Sequence, residues 1–78
     1  MIKVLLFAHL REKAGTDELT ISVENGIKVK ALKDLMMNKY DLPQLNQIMT
    51  AINEDFVTDE EIVSDGDTVA FIPPVSGG

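Results

Sequence analysis

The last two residues, Gly77 and Gly78, place a reactive group at the end of the chain that needs no side chain. An α-carboxylate is ionised at neutral pH and is a poor electrophile, but ATP can convert it into an acyl-adenylate. A sulfur nucleophile that displaces the adenylate leaves a terminal thiocarboxylate, a portable and nucleophilic sulfur. Glycine lacks a Cβ atom, so the paired glycines let the backbone enter a narrow channel. We therefore predict that Gly78 carries the chemistry and that a partner protein supplies the active site.

The residues before the glycines indicate a directed projection; they are Pro73, Pro74, Val75 and Ser76. Proline cannot donate to a strand ladder, so the proline pair ends the preceding strand and stiffens the exit from it. Six extended residues span about 20 Å, enough to reach into a neighbouring protein. The alternative is an incidental frayed end, although average composition puts two glycines in the last two places in only roughly 0.5% of chains. We predict a folded domain over residues 1–72 and a flexible tail over residues 73–78.

Composition restricts the partners of the chain. Its 78 residues are enough for one small domain with one core. The net charge of −6 repels nucleic-acid phosphates and anionic membranes and favours basic protein surfaces. No cysteine is present, which excludes disulfides, thiolate metal sites and a cysteine nucleophile. Because the sequence also contains no signal peptide and no apolar run long enough for a membrane span, we expect a cytoplasmic protein that binds neither nucleic acid nor membrane.

The hydrophobic pattern predicts an α+β fold with one main helix across one face of a mixed sheet. Apolar residues recur at three- and four-residue steps in one segment, as in a helix buried along one side. That helix is predicted over residues 28–40, after a single helical turn over residues 10–14 that Gly15 ends. The remaining elements are strands, predicted over residues 2–8, 18–23, 49–53, 56–57 and 68–72, with a turn over residues 53–55. The first and last are the most apolar, so we predict that they are central and paired in parallel.

Alternation along the first and last strands leaves apolar side chains on the face away from the helix. Leu5 and Phe7 share a face with Lys3, and Ala70 shares one with Ile72. If the two strands are neighbours, these side chains form an exposed apolar patch that Phe56 extends, and such patches usually mark contact sites. The alternative is that the chain itself covers both faces of the sheet, but only one main helix is available to do so.

The remaining polar residues carry weaker signals. His9 is the only histidine, and with no second histidine or cysteine it is predicted to be a surface loop residue. The acidic residues of segments 59–61 and 65–67 lack calcium-loop spacing, so we predict solvated turns and no metal site. Arg11 and Glu12 are assigned either to a partner contact or to a local ion pair. Three lysines are predicted to be solvated: Lys28, Lys30 and Lys33.

Two motifs resemble those of a known family. The first is the pattern F-A-x-x-R-E-x-x-G, which runs from Phe7 to Gly15; the second is the ending D-G-D-T-V-A-F-I-P-P-V-S-G-G over residues 65–78. Together they are similar to the small subunit of molybdopterin synthase, a sulfur carrier, and the resemblance extends over the whole chain. It implies a ubiquitin-like β-grasp fold, a reactive Gly78, and hydrophobic contacts at Phe7, Phe56 and Ile72.

The same resemblance implies particular partners. An adenylating enzyme similar to ubiquitin-activating enzymes would use ATP to activate Gly78, with no cofactor bound to the chain itself. A large catalytic subunit would take up the tail and convert cyclic pyranopterin monophosphate to molybdopterin, in a heterotetramer of two small and two large subunits. The chain would then be no enzyme on its own. The residues assigned to the partner interface are Leu5, Phe7, Arg11, Phe56, Ile72, Pro73 and Pro74, with Val75, Ser76 and Gly77 in the tail.

Two other functions stay open at this point. One is a sulfur carrier of another pathway, such as thiamine synthesis, or a ubiquitin-like protein modifier; the Pro-Pro-Val-Ser stretch argues against the thiamine carrier, which the two glycines alone would permit. The other is a β-grasp binding module without chemistry, in which the terminal glycines are incidental.

Overall fold

The computed structural model describes residues 1–40, Leu45 and residues 48–73. In chain order the first elements are β1 (Ile2–Leu6), α1 (Ala8–Ala14), β2 (Glu18–Ile21), β3 (Ile27–Lys28) and α2 (Val29–Tyr40). The later elements are β4 (Met49–Ile52), β5 (Asp55–Val57), β6 (Ile62–Val63) and β7 (Thr68–Ile72). Neither helix in this described part of the chain is long and apolar enough to cross a membrane.

Five strands form one mixed sheet in the order β2-β1-β7-β4-β5. β1 and β7 pair in parallel, with Val4 opposite Val69, as the sequence predicts for the two most apolar strands. The other pairs in this sheet are antiparallel. Two further short strands, β3 and β6, pair antiparallel in a second small sheet. The predicted α+β layout of one main helix and a mixed sheet is therefore confirmed.

The core lies between α2 and one face of the large sheet. Val29, Leu32 and Met36 of α2 are fully buried, as the predicted apolar stripe requires. They join buried side chains from alternate positions of β1 and β7 in a single cluster: Ile2, Val4, Leu6, Val69 and Phe71. Because successive strand residues point to opposite faces, this leaves the side chains of Leu5, Ala70 and Ile72 on the face away from α2.

The first helix is longer than the predicted single turn. α1 begins at Ala8, two residues before the predicted start, and the strand before it ends at Leu6. Leu10 is fully buried in the core, so tertiary packing stabilises a helix whose sequence pattern is short. Gly15 ends the helix in the left-handed conformation, with φ of 79°, and its N–H donates to the carbonyl of Arg11, as the sequence predicts.

The prediction that Lys33 is solvated is wrong, whereas Lys28 and Lys30 are exposed as expected. The Lys33 side chain is only 3% exposed. Its Nζ donates to Oδ1 of Asp59 at 2.8 Å and to the carbonyl oxygen of Ile48 at 3.1 Å. Burying an ammonium group is costly unless it is paired. These two bonds therefore tie α2 to the start of β4 and to the loop after β5.

The loop that contains Asp59 also caps α2, whose start lacks a capping side chain in the sequence. The N–H of Val29 donates to the carbonyl of Glu61 at 2.9 Å, and the N–H of Lys30 donates to the carbonyl of Asp59 at 3.0 Å. Backbone carbonyls from a distant loop thus satisfy N–H groups that a helix start leaves without partners. This part of the acidic segment is structural, which corrects the prediction of a merely solvated turn.

We expect Lys33→Met to lower the free energy of unfolding by about 2 kcal/mol, because it leaves the Ile48 carbonyl and the Asp59 carboxylate without their donor. The expected loss of stability is modest because Asp59 is 46% exposed and water can partly replace the lysine. Lys30→Met removes the same charge at an exposed position and should change the stability by less than about 0.5 kcal/mol. Urea unfolding of both variants measures the difference, and equal stabilities would contradict the assigned role of Lys33.

Candidate docking surface

A row of side chains crosses the face of the large sheet that α2 does not cover. The register places Leu5 beside Ala70, Ala70 beside Ala51, and Ala51 beside Phe56. Alanine stands on β7 and β4, and a large apolar residue stands on the strand to either side, Leu5 on β1 and Phe56 on β5. The paired alanines form the floor of a depression, and the larger side chains on either side form its walls.

The depression, called the groove below, has a volume of about 580 Å³. Its lining is mostly apolar and comes from β1, β4, β5 and β7 and the segments that follow β1 and β4; it consists of Leu5, Phe7, Ala51, Asn53, Glu54, Phe56, Thr68, Ala70 and Ile72. Phe7 is 45% exposed and Phe56 is 63% exposed. The structure thus brings together Leu5, Phe7, Phe56 and Ile72, four residues assigned to an interface. Their role in binding stays a prediction.

The tail leaves the sheet at one end of the groove. Leu6 lies opposite Phe71 in the parallel ladder, so Phe7 and Ile72, the next residue on each strand, stand at the same end. Pro73 follows Ile72 directly and is half-buried. A protein bound in the groove would therefore lie next to the start of the tail. The other tail residues with predicted roles lie outside the described residues: Pro74, Val75, Ser76, Gly77 and Gly78.

Arg11 lies beside the groove rather than in it. It lines a second, smaller cavity of about 160 Å³, which shares Leu5 and Phe7 with the groove and also includes Leu6, Asp17 and Glu18. Within the described ranges no salt bridge joins Arg11 to an acidic side chain. This position is compatible with the predicted partner contact and gives no support to the local ion pair.

The polar end of the groove was not among the predicted site residues. Asn53 and Glu54 form the turn between β4 and β5 and line the groove at the end away from Ile72. The sequence predicts a turn at these residues, but it contains no signal that the turn borders the apolar patch. That information depends on the pairing of β4 with β7, which brings residues far apart in the chain together.

Other candidate residues are not brought together by the fold. His9 is exposed on α1. Among the residues that the structure describes, no group of three or more His, Cys, Asp or Glu side chains is arranged to hold a metal ion. Within the described residues, the groove is therefore the surface region with the strongest indication of a binding role.

A five-stranded mixed sheet with a helix across one face, a long strand pair in parallel at its centre and a free apolar face defines a ubiquitin-like β-grasp protein. Residues 4–78 match the ThiS family. The chain belongs to this family, and within it resembles the molybdopterin synthase sulfur carrier subunits, which confirms the resemblance that the two sequence motifs indicate.

Relatives that carry that name include a plant protein and a bacterial protein. The molybdopterin synthase sulfur carrier subunit of Arabidopsis thaliana is 40% identical over 81 residues, covering 99% of this chain and 82% of the relative. The subunit of the same name in Escherichia coli strain K12 is 39% identical over 82 residues and is matched over the full length of both proteins.

A solved structure supports the fold independently. SAMP1 from Haloferax volcanii superimposes with a TM-score of 0.84 at 25% sequence identity, covering 99% of this chain and 98% of SAMP1. The name stands for small archaeal modifier protein 1. The β-grasp architecture is therefore shared with a protein whose name describes a different use of the fold.

Proposed function

We propose that this chain is the sulfur carrier subunit of a molybdopterin synthase. The single observation that carries the proposal is the apolar groove whose end adjoins the start of the tail at Ile72 and Pro73. A docking surface so placed would hold a partner while the last residues reach its active site. The names of the relatives, matched over nearly the whole chain, supply the pathway.

The proposed chemistry takes place at the carboxylate of Gly78. An adenylating enzyme transfers AMP from ATP to this carboxylate and releases pyrophosphate. A sulfur donor then displaces AMP, and one carboxylate oxygen is replaced by sulfur. In the large subunit the thiocarboxylate sulfur attacks a carbon of cyclic pyranopterin monophosphate, an oxygen substituent leaves that carbon, and a thioester to Gly78 results. Water then hydrolyses the thioester, which leaves the sulfur on the pterin and regenerates the carboxylate of Gly78. The dithiolene of molybdopterin needs two sulfur atoms, so two chains in the thiocarboxylate form are consumed for each product.

The rest of the proposal concerns the assembly. The large subunit occupies the groove, with Leu5, Phe7, Phe56 and Ile72 as its apolar contacts and Arg11, Pro73 and Pro74 at the margin. The complex has two small and two large subunits, matching the two sulfurs needed. This chain binds no cofactor, because ATP is used by the activating enzyme. The relatives are named as subunits, which agrees with a chain that is not an enzyme on its own. We propose that the complex lies in the cytoplasm.

Reconstitution tests this function. The chain is incubated with the adenylating enzyme, ATP and a sulfur donor, and is then mixed with the large subunit and cyclic pyranopterin monophosphate. We expect molybdopterin to form in proportion to the amount of chain that carries a thiocarboxylate, with two such chains consumed for each molybdopterin. A competent large subunit that yields no product with the charged chain, but does so with the charged Escherichia coli subunit, would contradict the proposal.

A second candidate is a protein modifier, which the similarity to SAMP1 favours. In that function an amine of a target protein, instead of a sulfur donor, displaces AMP from Gly78 and forms an amide bond. Activation with ATP and cell extract would then produce covalent adducts of higher mass that resist reducing agents. A carrier of the thiamine pathway would instead bind a thiazole synthase, so binding assays with the large subunit and with a thiazole synthase separate the two sulfur-carrier functions.

A further inference from the structure

The turn between β4 and β5 has an unusual backbone. Both of its residues have positive φ, 49° at Asn53 and 75° at Glu54. Two-residue turns of this kind match the twist of a hairpin, and they favour asparagine at the first position and glycine at the second. Glutamate at the second position is strained, because its Cβ crowds the backbone in the left-handed region. Strained residues persist where the surroundings hold them and often mark a functional contact.

The surroundings do hold this turn in place. The N–H of Asn53 donates to the carbonyl of Thr68 at 2.8 Å, and its Oδ1 accepts from the N–H of Thr68 at 3.0 Å. Its Nδ2 donates to Oδ1 of Asp67 at 3.0 Å, and Oδ2 of Asp67 accepts from the N–H of Ser64 at 2.8 Å. Asn53 thus fixes the turn to the start of β7, and both polar atoms of its side chain are engaged in these hydrogen bonds.

Glu54 carries the charge among the described residues that line the groove, and Lys3, opposite Thr68 in the ladder, lies outside that lining. Glu54 is exposed and lines the groove, and within the described part of the chain no cation forms an ion pair with it. The groove is apolar at the end near Phe7 and Ile72 and becomes polar at the end formed by Asn53, Glu54 and Thr68. A partner that fills it must therefore present an apolar ridge that finishes in a group complementary to a carboxylate.

We propose that Glu54 is a specificity-determining residue that receives a lysine or arginine side chain of the large subunit. The proposal rests on the function given above, which makes the large subunit the occupant of the groove. A carboxylate at the rim of an apolar contact adds little to the buried area, but it selects partners with a cation in register and speeds their encounter. The overall acidity of the chain acts in the same direction.

The test compares two variants that each remove one negative charge. Glu54→Gln keeps the size and backbone of the turn, and Glu24→Gln changes an exposed acid that does not line the groove. In calorimetric titration of the large subunit, we expect Glu54→Gln to bind about 3- to 10-fold more weakly at roughly 0.05 M salt. Glu24→Gln should stay within about twofold of the unchanged chain, and the difference between the variants should vanish near roughly 0.5 M salt.

Equal affinities of the two variants at low salt would overturn the role of Glu54 while leaving the proposed function intact. If the unchanged chain does not bind the large subunit at all, the proposed function fails and this inference fails with it. The strain is tested separately by melting temperature. Glu54→Gly should melt about 4–8 °C above Glu54→Ala, since both lack the carboxylate and only glycine relaxes the turn; equal melting temperatures would remove the argument from strain.

Discussion

Deletion of Gly78 is expected to abolish sulfur transfer while leaving the folded domain unchanged. The deletion moves the terminal carboxylate back to Gly77, about 3.5 Å short of its former position. Groups misplaced by about 1 Å can already cost a hundredfold in rate, so we expect the rate of molybdopterin formation to fall by at least about a thousandfold. The β-grasp fold should be unaffected because the described core extends to Phe71, seven residues before the deleted Gly78.

Two controls make this deletion informative. Melting temperature and affinity for the large subunit should match those of the unchanged chain, since Phe7, Phe56 and Ile72 are still present. Ser76→Ala leaves the length of the tail unchanged and should retain most of the activity. A Gly78 deletion that still transferred sulfur at a comparable rate would contradict the tail mechanism.

Substitution of Phe56 by aspartate is expected to disrupt docking by at least about a hundredfold in Kd, or about 3 kcal/mol. Phe56 forms one wall of the groove opposite Ala51 and is 63% exposed. The aspartate removes an aromatic contact and places a carboxylate where the partner must be apolar. Because the side chain lies mostly outside the core, the melting temperature should change little.

Ile62 offers a matched control for this substitution. It is also an apolar residue on a short strand and is 53% exposed, but it belongs to the second sheet and does not line the groove. In calorimetric titration of the large subunit with both variants, Ile62→Asp should therefore bind with nearly unchanged affinity. If the two variants lost affinity equally, or neither lost any, the assignment of the groove as the docking surface would be wrong.

The apolar face could be predicted from the sequence because strand alternation is a local property. Leu5 and Phe7 had to share a face with Lys3, and Ala70 with Ile72, whatever the rest of the chain did. The parallel pairing of β1 and β7 followed from their apolar composition. These two inferences together predict that four of the groove-lining side chains lie side by side.

Features that depend on contacts between distant segments were less accessible. Lys33 occupies the i+4 position after Val29, on the same stripe as Leu32 and Met36, so its position could have signalled burial. Its charge argued against that reading, and only the fold shows that Asp59 and the Ile48 carbonyl compensate it.

The polar end of the groove shows the same limit. The sequence predicts a turn at Asn53 and Glu54, but their place beside Thr68 follows from the register of β4 against β7. The alanine floor of the groove likewise depends on the pairing of Ala51 with Ala70, which strand alternation alone does not give. Periodicity tells which face a residue shares within its own strand, whereas the shape of a groove depends on which residues of neighbouring strands stand opposite one another.

The most direct test of the central claim is the intact mass of the chain after incubation with the adenylating enzyme, ATP and a sulfur donor. The proposed function predicts a gain equal to the exchange of one oxygen for one sulfur, and fragmentation should locate it at Gly78. Omitting ATP should prevent the gain. An unchanged mass, under conditions in which the Escherichia coli subunit is converted, would contradict the claim that this chain carries sulfur on its terminal glycine.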